Sequence, residues 1–164
     1  MTHFPDLSPY RYLSAPGSLG GVPEPDGSLN VGWLSSAHAF PTGDVPDEAV
    51  PKILRLVLHH RVNVMRGHHD CELCFEQFGR PGMAVCMDVD GHEVWLGNAE
   101  IRVTDRTGVI YASPSLVAHY ISAHRYLPPP DFIEAVLDAP VTERPIERSV
   151  PRRRWPARLL QRRS

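Results

Sequence analysis

Cys71 and Cys74 stand with two residues between them in Gly67-His68-His69-Asp70-Cys71-Glu72-Leu73-Cys74, a spacing that lets one tight turn present two thiolates to a single cation. His69 adds an imidazole two positions earlier, and His68 competes for the same place. A tetrahedral zinc site then needs a ligand from elsewhere, which His119 and His124 can supply from a later helix. The 44 residues between Cys74 and His119 are too many for a classical finger, so the expected site is a clamp inside a larger domain. Five residues advance a helix by about 500°, leaving the two imidazoles roughly 140° apart. Both serve one ion only if the helix end distorts. His119, on the flank of the apolar face, is favoured over His124, which sits nearer the centre and suits a hydrogen-bonded core histidine.

The expected metal is zinc in a structural role. Two thiolates blunt the Lewis acidity of the ion, and four protein ligands leave no position for water. The His-x-Glu of a zinc deaminase is missing upstream, where Ala37-His38-Ala39 carries no carboxylate, and His92-Glu93 lacks the second histidine of a metalloprotease helix. A redox dithiol would sit at a helix start after a strand, which the surroundings of Cys71 do not suggest. Cys86, between Val85 and Met87, reads as a small buried apolar residue, and His59-His60 as cations at a helix end. If there is a reaction, Glu100 is the candidate proton-transfer carboxylate and Asp70 the second. The plainer reading of Glu100 is a solvent-facing strand residue paired with Arg102. No Gly-rich phosphate loop and no nucleophile elbow occur.

These residues need a scaffold. Ile53, Leu54, Val57 and Leu58 recur at helical spacing and predict a helix from about Asp47 to Arg61, with Pro51 tolerable in its first turn. Leu29 to Leu34 reads as a short strand. His92 to Leu96 and Ala99 to Val103 read as strands around Gly97-Asn98, and Asp105-Arg106-Thr107-Gly108 turns the chain into Val109-Ile110-Tyr111. Pro114 is expected as the first residue of a helix burying Leu116, Val117, Tyr120 and Ile121. A last helix from about Pro130 to Asp138 carries Phe132, Ile133, Val136 and Leu137 on one side. The expected fold class is α+β: a small antiparallel meander, about three helices and a metal-stapled loop. Residues 1–28, rich in Pro and Gly, are expected as a loop-like arm, 29–138 as the single zinc-binding domain, and 139–164 as a disordered basic tail.

A chain of 164 residues is about one domain. Its three cysteines cannot pair evenly, and no run approaches the roughly twenty apolar residues of a membrane span. The first residues lack the pattern of a signal peptide, so the expected compartment is the cytosol. The net charge of −2 hides an asymmetry, because residues 139–164 hold eight arginines against Glu143 and Glu147. An acidic domain thus precedes a basic, Pro-punctuated segment that could meet nucleic acid, an anionic surface or the domain itself.

Gly32-Trp33-Leu34, Phe40-Pro41-Thr42-Gly43, the Gly67 to Cys74 segment, Leu96-Gly97-Asn98-Ala99-Glu100-Ile101, Tyr111-Ala112-Ser113-Pro114 and His119-Tyr120 through His124-Arg125-Tyr126-Leu127-Pro128-Pro129 together resemble a family of small bacterial proteins with a domain of unknown function. Its members read Gly-x-His-x-Cys-x-x-Cys, then Leu-Gly-Asn-Gly-Glu-Ile, then His-Tyr with a second His before Tyr-x-Pro-Pro. The resemblance spans about Asn30 to Leu137, departs at Ala99 where Gly is expected, and leaves the tail outside. It implies that His69, Cys71, Cys74, His119 and His124 are the positions that matter, and it implies no reaction. The expected role is a structural-zinc accessory or protein-interaction module. The alternatives are a zinc-dependent hydrolase and nucleic-acid binding through the tail.

Overall fold

Ile53, Leu54, Leu56 and Val57 are buried on one face of helix α1 (Ala49–His60), against which α3 (Val117–His124) and α4 (Pro130–Asp138) pack. The computed structural model describes residues 3–11, 27–78 and 84–143. Among them, strand β1 (Leu29–Asn30) runs parallel to β5 (Ile110–Pro114), and β5 pairs antiparallel with β4 (Glu100–Thr104). A separate hairpin joins β2 (Cys86–Val89) to β3 (His92–Trp95). A short helix, α2 (Glu72–Phe78), follows Cys71. The chain is therefore an α+β protein, with four helices among the described residues.

Several elements differ from expectation. The antiparallel pairing of β4 with β5 is present, but β3 and β4 are not hydrogen-bonded neighbours. Asp90 and Gly91, with φ of 53° and 77°, instead make the tight hairpin turn that returns β3 onto β2. Cys86, on β2, is exposed rather than buried. Pro114 ends β5 instead of opening a helix, and α3 starts three residues later at Val117. Leu137 is half exposed on the rim of α4, whose buried face is Phe132, Ile133, Ala135 and Val136.

The described part of the N-terminal arm is built into the fold. The backbone of Ser8 accepts a hydrogen bond from Asn30 N–H, and those of Leu7 and Tyr10 donate to Asn30 and Ser28. Asp6 accepts the Gly32 backbone N–H at 2.8 Å and the Tyr126 hydroxyl at 2.7 Å. A single carboxylate thus ties the start of the chain to the segment just after α3, a link no local pattern announces. At the other end, Thr142 N–H donates to His60 Nε2 at 2.9 Å; the basic segment from 144 onward lies outside the described residues.

Candidate metal centre

The segment 62–70 is fastened to the start of β4 before it reaches the cysteines. Val62 and Glu100 exchange both backbone hydrogen bonds, Met65 N–H donates to Asn98 O, and His69 N–H donates to Gly97 O at 2.8 Å. Gly97 has φ of 89°, and a Cβ there would lie 2.3 Å from the His69 carbonyl oxygen, so only glycine permits this approach. Cys71 follows at once, 1 % exposed, and its carbonyl accepts the Phe75 N–H as the first turn of α2 forms. That turn brings Cys74 back beside Cys71, with Cys74 N–H pointing at Cys71 Sγ at 3.4 Å. The tight turn expected from the spacing is thus the first turn of a helix.

The other pair comes from α3. His119 Nε2 lies 3.2 Å from Cys74 Sγ, and His124 Nε2 lies 3.3 Å from both Cys71 Sγ and Cys74 Sγ. Tetrahedral zinc, with Zn–S of about 2.3 Å and Zn–N of about 2.0 Å, requires S···N separations of about 3.5 Å. The four donor atoms of Cys71, Cys74, His119 and His124 all lie within 4.8 Å of one another and could hold a metal ion. Among the described residues they form the one such group.

Both histidines reach it because His124 is the last residue of α3. Arg125 takes a left-handed conformation (φ 54°) and ends the helix. The imidazoles close the azimuthal gap with their own length, their centroids 5.1 Å apart and their planes 83° to one another. The expected preference for His119 over His124 is thus replaced by a site to which both belong. His69 is not brought into the group. Its backbone is engaged by Gly97 and its side chain is exposed, bordering a separate cavity with Trp33 and Glu100. Asp70 is exposed as well.

Electrostatics suit a cation. Burial, with the neighbouring Cys74, pushes the Cys71 thiol up to about 11, although the Cys74 N–H pulls it back. Burial, with the adjacent His124, lowers His119 to about 4, and burial lowers His124 also. At neutral pH His119 accordingly keeps its ring lone pair free for a metal. Two thiolates side by side are costly in this setting until a divalent ion offsets their charge. A pH dependence follows for the metal-free protein. The unfolded chain binds a proton at His119 from about 6.5 downward and the folded chain only near 4. Stability from this group is complete above about 6.5 and is lost as pH falls toward 4. Urea unfolding of metal-free protein should show a midpoint that drops across that window, and the drop should be smaller in His119→Gln.

Glu100 is not a solvent-facing residue. It is 3 % exposed, with Oε1 accepting the Tyr10 hydroxyl at 2.7 Å and Oε2 accepting Asn63 Nδ2 at 3.0 Å. Arg102 is its neighbour as expected, though distant at 3.9 Å. Tyr10 and Asn63 were invisible as partners in the sequence, since they lie 90 and 37 residues away with no shared pattern. Burial and the Glu100 carboxylate raise the Tyr10 hydroxyl far above its ordinary value.

No helix among the described residues is long and apolar enough to cross a membrane. No curated protein and no solved structure matches the chain. A family model does match residues 2–137, starting well before Asn30, and by that match the chain belongs to the family described as a domain of unknown function, DUF7919.

Proposed function

We propose that this chain is a cytosolic accessory module in which one structural zinc ion, held by Cys71, Cys74, His119 and His124, staples the 62–78 segment to α3, and that the module serves to bind a protein partner. The observation that supports it most is the convergence of four protein donors from two distant segments, a set that completes tetrahedral zinc and leaves no position for water. A partner role is supported by Val64, Met65, Phe75 and Trp95, large apolar side chains 42 to 55 % exposed, on segments flanking the cysteines or, for Trp95, on β3. In this reading residues 139–164 are a basic tail beyond the zinc-holding unit. The hydrolase alternative, with Glu100 or Asp70 as base, needs an open coordination position that this donor set does not offer.

Cobalt(II) substitution tests the proposal. Cobalt should give the intense visible bands of four-coordinate geometry together with sulfur-to-metal charge transfer, and added azide should leave the spectrum unchanged. His69→Ala should keep that spectrum and His124→Ala should lose it. An azide-dependent change would sink the structural role in favour of an open, catalytic site.

A further inference from the structure

The turn after β4 and the helix α4 border an open groove of about 540 Å³, away from the metal donors. Its charge is mostly negative. Asp131, Glu134 and Asp138 line it from α4, at intervals of three and four residues that put them on one side of the helix, and Asp105 lines it from the turn. Arg106 is the one cation among the lining residues, and it is already shared between Glu134 at 3.4 Å and Asp138 at 2.8 Å. Asp105 is spent on its own turn, accepting the Thr107 and Val109 backbone N–H groups and the Tyr111 hydroxyl. Asp131 belongs to neither arrangement. The Arg106 pairs are solvent-exposed, so they are weak and exchange readily with another guanidinium. The rest of the lining is apolar, with Leu29, Val109 and Leu7, the last 46 % exposed at a left-handed φ of 61° that is uncommon for so large a side chain.

Residues 144–164 carry the complement. They hold eight arginines and one carboxylate, Glu147, and the run Arg152-Arg153-Arg154-Trp155-Pro156-Ala157-Arg158-Leu159-Leu160 joins the densest charge to large apolar side chains. Guanidinium groups pair with carboxylates, while arginine stems and an indole cover apolar surface. The chain also leaves the fold beside the groove. Asp138 lines it, Ala139 and Val141 pack against the core, and Thr142, four residues beyond Asp138, is tied to His60. The ten residues from Thr142 to Arg152 reach up to about 35 Å, enough to return along α4. A tethered segment meets its site at roughly millimolar effective concentration, so an intrinsic dissociation constant of about 0.1 mM leaves it bound about nine-tenths of the time. A separate basic peptide has no such advantage.

We propose that residues 152–160 dock in this groove of their own chain, with arginines on Asp131, Glu134 and Asp138 and Trp155 against the apolar lining. Docking withholds the arginine cluster from an anionic partner until salt or a competing polyanion releases it. The proposal is independent of the zinc reading, because no lining residue is among the four metal donors.

The test compares isotope-labelled, metal-loaded full chain at low ionic strength with two tail variants, Trp155→Ala and the triple change Arg152→Gln, Arg153→Gln and Arg154→Gln. Neither alters a described residue, so the fold is kept. Both should move the backbone amide resonances of Thr107, Val109 and Ala135 and leave Met87, on the β2 and β3 hairpin, where it was. The effect of Trp155→Ala excludes a diffuse charge effect, since that variant keeps every arginine. Trypsin gives the second measurement. Cleavage after Arg152 to Arg154 should be about tenfold slower in the wild type than in the groove variant Asp131→Asn with Glu134→Gln, as expected for a segment bound about nine-tenths of the time, and high salt should erase the difference. Unmoved groove amides in either tail variant would overturn the proposal, as would equal cleavage rates. Unmoved amides together with tail-dependent binding of a short DNA duplex would turn the segment outward, to nucleic acid. A groove signal that grows with protein concentration would also overturn it, in favour of docking on a second copy.

Discussion

Cys71→Ser should abolish stoichiometric metal and lower the thermal midpoint by roughly 10 °C or more. Structural zinc sites in small peptides carry about 10–16 kcal/mol of apparent binding free energy. A whole domain is stable by only about 5–15 kcal/mol. Even a partial loss of about 4 kcal/mol shifts the midpoint of a chain this size by roughly 10 °C. Serine does not supply a thiolate, so the substitution removes one of the four donors at a position that is 1 % exposed. Plasma mass spectrometry would read the metal and circular dichroism the midpoint. The decisive comparison is wild type stripped by a chelator, which should fall to the midpoint of Cys71→Ser. A stripped wild type that melts where the loaded protein does would show that the metal does not hold the fold.

Gly97→Ala should be the most damaging single methyl addition in the described structure, costing about 2–4 kcal/mol. The glycine combines two constraints. Its φ of 89° is one that L side chains rarely adopt, and a Cβ would sit 2.3 Å from the His69 carbonyl oxygen and 3.2 Å from its nitrogen. Backbone cannot swing aside as a side-chain tip can, so the 62–70 segment would have to lift, taking Cys71 with it. Gly91→Ala is the control. Its φ of 77° is also left-handed, but nothing lies within 4 Å of the added carbon. It should cost only about 1 kcal/mol. Denaturant unfolding of both variants gives the comparison, and equal losses would mean that backbone strain alone, with no close approach, explains the glycine.

Much of the candidate site was legible in the sequence. The two-residue interval between Cys71 and Cys74 is a chemical pattern, and thiols so placed in one chain have few other uses. The histidines were legible as a pair but not as a joint contribution. Azimuth on an ideal helix says nothing about a residue at the terminus, where His124 stands beside a left-handed Arg125. His69 was expected from its nearness to the cysteines and from the family resemblance, and the hydrogen bond to Gly97 that holds its backbone comes from the link between β3 and β4, 28 residues on. The fold class followed from apolar periodicity, which marks α1 and α4 well. The β2 and β3 hairpin had a local signal, Asp90-Gly91, that could have found it. The parallel pairing of β1 with β5, and the Tyr10 and Asn63 contacts to Glu100, had none. Such pairings depend on tertiary proximity, which a linear pattern does not encode.

The wide interval between the two ligand pairs sets an order of events during synthesis. Cys71 and Cys74 emerge from the ribosome well before His119 and His124, which stand 45 and 50 residues beyond Cys74. Two thiolates alone make half a site, and closing a loop of that length costs about 4 kcal/mol in chain entropy. Tight metal capture must therefore wait until α3 has been made and docked on the hydrophobic core. Uptake of the ion becomes a timestamp for completed assembly, and a nascent chain released before His119 would carry the cysteines yet retain no tightly bound metal.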